Sequence, residues 1–305
     1  MFEEYDGHVP GAAVLVIRDG RVVLRHCAGM ADLENAIPVT PSTNFRLASM
    51  TKQFIARAIE ILQVPLERRV LRDITVRQLL SHTSGLIDYE DLIGSAGVPP
   101  AVGGRLARRR TGDRAGRSLT ADETSALQLS DHDVLHLLER TGTYFPPGSQ
   151  YRYSNGGYVL LGLLIERESG MPLETFLHNE IFAPLGMHGT VLGTRNVMNR
   201  AYGYSFENHA WVRRDQSVTS ATRGDGGIYS SIDDLQKWDA SLAGRRLEFG
   251  WHHAPGKVWH EGETVSFRNL IVKFREERAT LIMLTNRDQW CGTLSGQIRH
   301  ASFHH

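Results

Sequence analysis

A hydroxyl and an amine three residues apart, Ser49 and Lys52 of the tetrad Ser49-Met50-Thr51-Lys52, are the side chains best placed for covalent chemistry in this sequence. A lysine amine beside a serine can take the hydroxyl proton and create a nucleophile without a histidine–aspartate pair. The chain has four lysines (Lys52, Lys237, Lys257 and Lys273) among many serines, so chance supplies such a tetrad in roughly one sequence of this composition in four. Placement must therefore add weight. Phe54, Ile55, Ala58, Ile59 and Leu62 recur at three- and four-residue intervals and stop at Pro65, which predicts a buried helix opened by Ser49. Residues i and i+3 share a helix face, so Lys52 can reach back to Ser49. The free N–H groups and positive dipole end there favour a developing oxyanion. A lysine in a desolvated pocket loses proton affinity and can act as a base. The same four residues also describe an N-capping serine followed by a solvated lysine.

Two further groups of polar residues have a chemical reading. Tyr153-Ser154-Asn155 lies between Pro146-Pro147-Gly148 and Gly156-Gly157, a turn-rich connection before a helix. A tyrosine hydroxyl can relay a proton and an asparagine amide can hold a substrate carbonyl, although both residues are also ordinary turn formers. His260-Glu261-Gly262 stands directly before a predicted strand, where a backbone N–H beyond the glycine can complete an oxyanion pocket. As a zinc ligand His260 lacks the second histidine of an HExxH pattern, and His252 and His253 diverge on a strand. No metal and no cofactor is expected.

These groups need a scaffold. Ala12 to Arg18, the dipeptide Asp19-Gly20 and Arg21 to Arg25 read as a β-hairpin with a tight turn. Near the other end, Phe267 to Phe274, the charged turn Arg275 to Arg278, and Ala279 to Leu284 read as two strands whose continuous apolar runs imply a sheet covered on both faces. Strands at both ends predict one antiparallel sheet built from both termini, with an inserted, mostly helical region. Helices are expected from a Ser130-Asp131-His132-Asp133 cap through Leu138, from Tyr158 to Glu168 before Gly170, from Pro172 to Ile181, and from Ser231 to Leu242. Ile93 to Ala126 has no periodicity and carries Arg105, Arg108, Arg109, Arg110, Arg114 and Arg117, which reads as a mobile solvated excursion, the alternatives being a functional lid or an anion-binding segment.

At 305 residues the chain can form one large domain or two interleaved ones, and its formal net charge is zero. Nothing in this balance points to nucleic acid or to a particular oligomeric state. No apolar run approaches the roughly eighteen residues of a spanning helix, and Met1 to Asp6 is acidic where a secretory leader is basic. The chain as given is therefore expected to be cytoplasmic, or periplasmic or secreted if a leader was removed. Cys27 and Cys291 lack metal or CxxC spacing and read as free or buried thiols, one long-range disulfide being the alternative.

The order and spacing of Ser49-x-x-Lys52, Tyr153-x-Asn155 and His260-x-Gly262 resemble the penicillin-binding-protein and class C β-lactamase superfamily of serine hydrolases. Flanking stretches extend the resemblance over most of the chain: Leu79 to Leu86, Phe182 to Met187 and Gly224 to Ser230. It implies an α/β (α+β) fold of β-lactamase/transpeptidase type, with residues 1–45 and 206–305 as a sheet domain and 46–205 as a helical domain carrying Ser49 and Tyr153. It further implies an acylated Ser49, Lys52 as base, Tyr153 sharing proton transfer to the leaving group, and Asn155 on the acyl side. His260 takes the place that lysine has in many β-lactamases, and the N–H groups of Ser49 and Glu263, beyond Gly262, form the oxyanion hole. His82 and Asp225 are assigned to packing.

The sequence departs from this pattern in shortened links from Leu62 to Leu80 and from Leu242 to Val258. Glu261 and Glu263 also bracket Gly262, where two partly solvated carboxylates would repel an anionic substrate by roughly a kcal/mol each. The expected activity is hydrolysis of a small ester or amide through an acyl-enzyme, of esterase or D-amino-acid peptidase type rather than true β-lactamase. The alternative is a catalytically silent member that binds peptide or cell-wall fragments.

Overall fold

Asp19 and Gly20 both take positive φ, +50° and +75°, as a two-residue hairpin turn requires, and they join β1 (Ala12–Arg18) to β2 (Arg21–Ala28). The computed structural model describes residues 3–96, 128–193 and 197–289. The arginine-rich segment from Arg105 to Arg117, and Cys291, lie outside the described residues.

The chain divides into two compact units: 1–54, 174–215 and 226–305 form one, and 55–173 with 216–225 the other. The first is built on the expected sheet. With β3 (Phe45–Arg46), β4 (Val191–Leu192) and β5 (Ile228–Ser230) set aside in a small sheet of their own, β6 (His252–Ala254), β7 (Lys257–Thr264), β8 (Phe267–Phe274) and β9 (Ala279–Thr285) complete an antiparallel sheet in the order β6-β7-β8-β9-β1-β2. β9 pairs with β1 along its whole length, from Ala12 opposite Thr285 to Arg18 opposite Ala279, so the two ends of the described chain form the middle of the sheet. Both strands are buried almost continuously. Tyr5, Val14, Leu270, Val272 and Met283 form a cluster there, and a helix, Ile232–Ser241, packs on β1 and β9.

The helical unit is capped as its sequence predicts. Ser130 and Asp133 form a reciprocal capping box on the helix Asp131–Arg140, and Thr75 and Gln78 form another on Val76–Leu80. The helix Asn155–Ser169 ends at Gly170, φ +70°. It starts three residues before the expected Tyr158, because Ser154 caps it by accepting the Gly157 N–H at 3.2 Å. Gly156 and Gly157 are helical and lie against Leu138 and Leu79, not in a turn. Pro172 to Ile181 is observed as a short helix, Leu173–Leu177, that widens into a π-turn over His178–Phe182.

The division differs from the expected halves. Residues 46–54, with Ser49 and Lys52, and 174–205 belong with the sheet. Phe45 and Arg46 pair with Ser230 and Tyr229, which ties the segment before Ser49 to strands far along the chain.

Candidate active site

Ser49 sits in a 3-10 turn, Ala48–Met50, immediately before the helix Thr51–Ile61. Four long-range hydrogen bonds fix this turn. Leu47 N–H donates to the Ile228 carbonyl at 2.8 Å, and Ile228 N–H donates to Thr51 Oγ1 at 3.1 Å. Asn269 Nδ2, fully buried on β8, donates to the Arg46 carbonyl at 2.8 Å, while Arg46 Nε donates to the Gly226 carbonyl at 3.2 Å. Ala48 is held at φ +49°, a conformation unfavourable for any residue with a Cβ. From Thr43 to Ala56 every residue is buried except Ser49, which is half-buried. The fold thus presents this hydroxyl and covers what surrounds it.

Lys52 is completely buried, and its Nζ donates to Ser49 Oγ at 3.0 Å. On the next two residues, Gln53 Oε1 accepts from the indole N–H of Trp238 at 3.0 Å and Phe54 stacks on that indole at 4.3 Å, which pins the first turn of the helix to Trp238. The reading of Ser49 as an N-cap with a solvated lysine fails on both residues.

His260 and Gly262 lie within β7 itself, not before a strand, and occupy its buried face. Gly262 rests against the Leu47 carbonyl and Met50, where an added methyl would overlap the backbone of the Ser49 turn. His260 Nδ1 is 2.5 Å from the Glu261 carbonyl; a carbonyl only accepts, so Nδ1 carries the proton. Strand alternation sends the side chains of Glu261 and Glu263 to the opposite face, and Glu263 pairs with Arg268 at 3.5 Å. The expected repulsion of anionic substrates by this carboxylate pair loses its basis: the two residues flank Gly262 in sequence but not on its face.

In the helical unit, Tyr153 and Asn155 flank the capping Ser154. Asn155 N–H donates to Asp88 Oδ2 at 2.7 Å and its Nδ2 donates to Glu90 Oε2 at 3.3 Å. Tyr153 stacks on His82, ring centroids 4.4 Å apart. The sheet unit thus holds the Lys52 amine on Ser49 Oγ and Gly262 against the Ser49 turn, with His260 on the same face of β7 and only the carboxylate of Glu263 on the other, and the helical unit brings together Tyr153 and Asn155 around Ser154. Sequence reasoning passed over Asp88 and Glu90, which follow the Leu79 to Leu86 stretch without a pattern of their own. Among the described residues no group of histidine, cysteine and carboxylate side chains is arranged to hold a metal ion, and no helix is long and apolar enough to cross a membrane.

The family model described as Beta-lactamase matches residues 1–266. The chain belongs to the beta-lactamase family. Among its relatives, a penicillin-binding protein of Bacillus subtilis (strain 168) is 27% identical over 338 residues, covering 92% of this chain and 69% of that protein. A D-aminopeptidase of Brucella anthropi is 29% identical over 258 residues, covering 80% of this chain and 44% of that one. The chain therefore spans less than half the length of that D-aminopeptidase. The solved structure of EstCE1, described as a hydrolase with promiscuous acyltransferase activity, superposes with a TM-score of 0.71 at 23% identity, covering 98% of this chain and 94% of that one. The fold is that of the penicillin-binding-protein and β-lactamase group, as the resemblance implied.

Proposed function

We propose that this beta-lactamase-family chain is a serine hydrolase that cleaves a small ester or amide through an acyl-enzyme. The observation that carries the reading is the 3.0 Å hydrogen bond between the buried Lys52 amine and the one accessible side chain of its segment, Ser49. In the deprotonated form, Lys52 takes the Ser49 proton as Oγ attacks the substrate carbonyl. The oxyanion that forms is received by backbone N–H groups, those of Ser49 and Glu263 in the family pattern. Tyr153 shares proton delivery to the leaving group, Asn155 holds the acyl side, and His260 lines the substrate's path. Water then attacks the ester on Ser49, with the same base returning the proton.

The name of one relative, a D-aminopeptidase, supports D-amino-acid amides, and short esters are open to the same acyl-enzyme chemistry. The silent alternative is not favoured by any feature of the Ser49 turn. A fluorophosphonate probe should attach to the Ser49 peptide, and Ser49→Ala should lose both the label and p-nitrophenyl ester hydrolysis. A folded Ser49→Ala protein that hydrolyses the ester at the parent rate overturns the reading. On a panel of esters, D-amino-acid amides and nitrocefin, nitrocefin should be the slowest substrate.

A further inference from the structure

His82 belongs to the Leu79 to Leu86 stretch and has no part in the chemistry assigned above. Its backbone takes φ +56°, outside the range that residues with a Cβ prefer, and its carbonyl accepts the Arg152 N–H at 2.9 Å. Its ring is buried, and Nδ1 lies 3.2 Å from the Ser154 N–H. A backbone N–H can only donate, so Nδ1 carries the lone pair and the proton of the neutral ring sits on Nε2. The same ring stacks on Tyr153 at 28° and 4.4 Å. Tyr153 is thus held from three directions by one residue: the peptide before it through Arg152, the peptide after it through Ser154, and its own ring by stacking.

We propose that His82 is a positioning residue for Tyr153, and that it does this work only as a neutral imidazole. Protonation at Nδ1 would turn the acceptor into a donor aimed at the Ser154 N–H, breaking the bond that anchors the Tyr153-Ser154-Asn155 connection. The ring faces those of Tyr151 at 5.9 Å, Tyr153, and Tyr158 at 5.2 Å, and Asp88 Oδ2 accepts the neighbouring amide, Asn155 N–H, at 2.7 Å. Whatever charge stands nearby, a ring protonated at Nδ1 has no lone pair left for the Ser154 N–H. The inference rests on Tyr153 acting in proton transfer, as proposed above.

Two substitutions separate the two contacts. His82→Asn tolerates positive φ and keeps an acceptor near the Nδ1 position but loses the stacked ring. His82→Phe keeps a ring but loses the acceptor. On a p-nitrophenyl ester, His82→Phe should lower kcat by about tenfold to a hundredfold with KM within about twofold, since a misaligned proton carrier slows chemistry more than binding. The acid limb of its pH profile should carry one proton fewer than the parent's, and His82→Asn should recover part of the lost kcat. Nitrogen-detected NMR of the parent should show His82 as the Nε2–H tautomer. Superimposable acid limbs in parent and His82→Phe, or an Nδ1–H tautomer, overturn the proposal. A folded parent that neither hydrolyses the ester nor takes the fluorophosphonate on Ser49 instead overturns the hydrolase reading on which it rests, so the two failures are distinguishable.

Discussion

Gly262 on β7 lies against the carbonyl of Leu47, two residues before Ser49, at a distance that leaves no room for a Cβ. The glycine of the His260-Glu261-Gly262 motif is thus a steric requirement of the nucleophile turn: the strand must approach until backbone meets backbone. Gly262→Ala has to push the turn away, at a cost of about 1–3 kcal/mol. That displacement also moves Ser49 Oγ from the Lys52 amine. Ester hydrolysis should fall at least about a hundredfold. Gly142→Ala, at a glycine with open space around its Cα and no positive φ, is the control and should leave both activity and urea midpoint near the parent's. Equal activity in the two variants would show that the approach of β7 does not govern the turn.

Ala48 carries the strain of that turn. At φ +49° its methyl group costs roughly 1 kcal/mol, which offsets what a glycine would lose through chain entropy and burial. Ala48→Gly should therefore unfold within about 0.5 kcal/mol of the parent in urea. Ala58→Gly, in the regular helix Thr51–Ile61 and equally buried, should lose about 1 kcal/mol or more. Equal losses at the two positions would mean that Ala48 is not strained.

What the sequence made legible follows from what periodicity and local chemistry encode. The hairpin at Asp19-Gly20, the β8–β9 pair and the Ser130 cap are set by neighbours within a few residues, and they stand where the pattern puts them. Gly156 and Gly157 carry a turn composition, but packing against Leu138 and Leu79 makes them helical, which is a tertiary effect. Glu261 and Glu263 look like flanks of Gly262 until strand alternation separates their faces. The bond from Asn269 to the Arg46 carbonyl crosses 223 positions of sequence, and no local pattern records it. The motifs were therefore readable as motifs, whereas the long-range clamps that hold the Ser49 turn were not.

Cys27 on β2 is a free thiol. Burial, reinforced by the negative charge of Asp233 and only partly opposed by Arg25, pushes its pKa up to about 11. At pH 8 about 0.1% of it is thiolate, against roughly a quarter of an unperturbed cysteine. Iodoacetamide at pH 8 should alkylate the Cys27 peptide at least about a hundredfold more slowly than free cysteine, as followed by mass spectrometry. Alkylation at the rate of the free amino acid would contradict the environment described for β2.

His252 on β6 links the site to pH-dependent stability. Its ring is 5.0 Å from that of His260, and Gly250, φ +74°, packs on the Lys52 carbonyl just before it. Burial, together with the charges of His253 and Lys52, holds the His252 imidazole below its usual pKa. The sign follows from proton uptake. As pH falls through about 6.5 the unfolded chain binds a proton at this position before the folded one does, so the folded state loses stability on acidification. For one such group the slope cannot exceed about 1.4 kcal/mol per pH unit. His252→Gln removes the term while keeping a polar side chain. Urea unfolding at pH 7.5, 6.0 and 5.0 should show parent and variant losing stability together through other groups, with the parent's decline the steeper below pH 6.5. Parallel declines across that window would show that His252 takes up its proton as readily in the folded protein as in the unfolded chain.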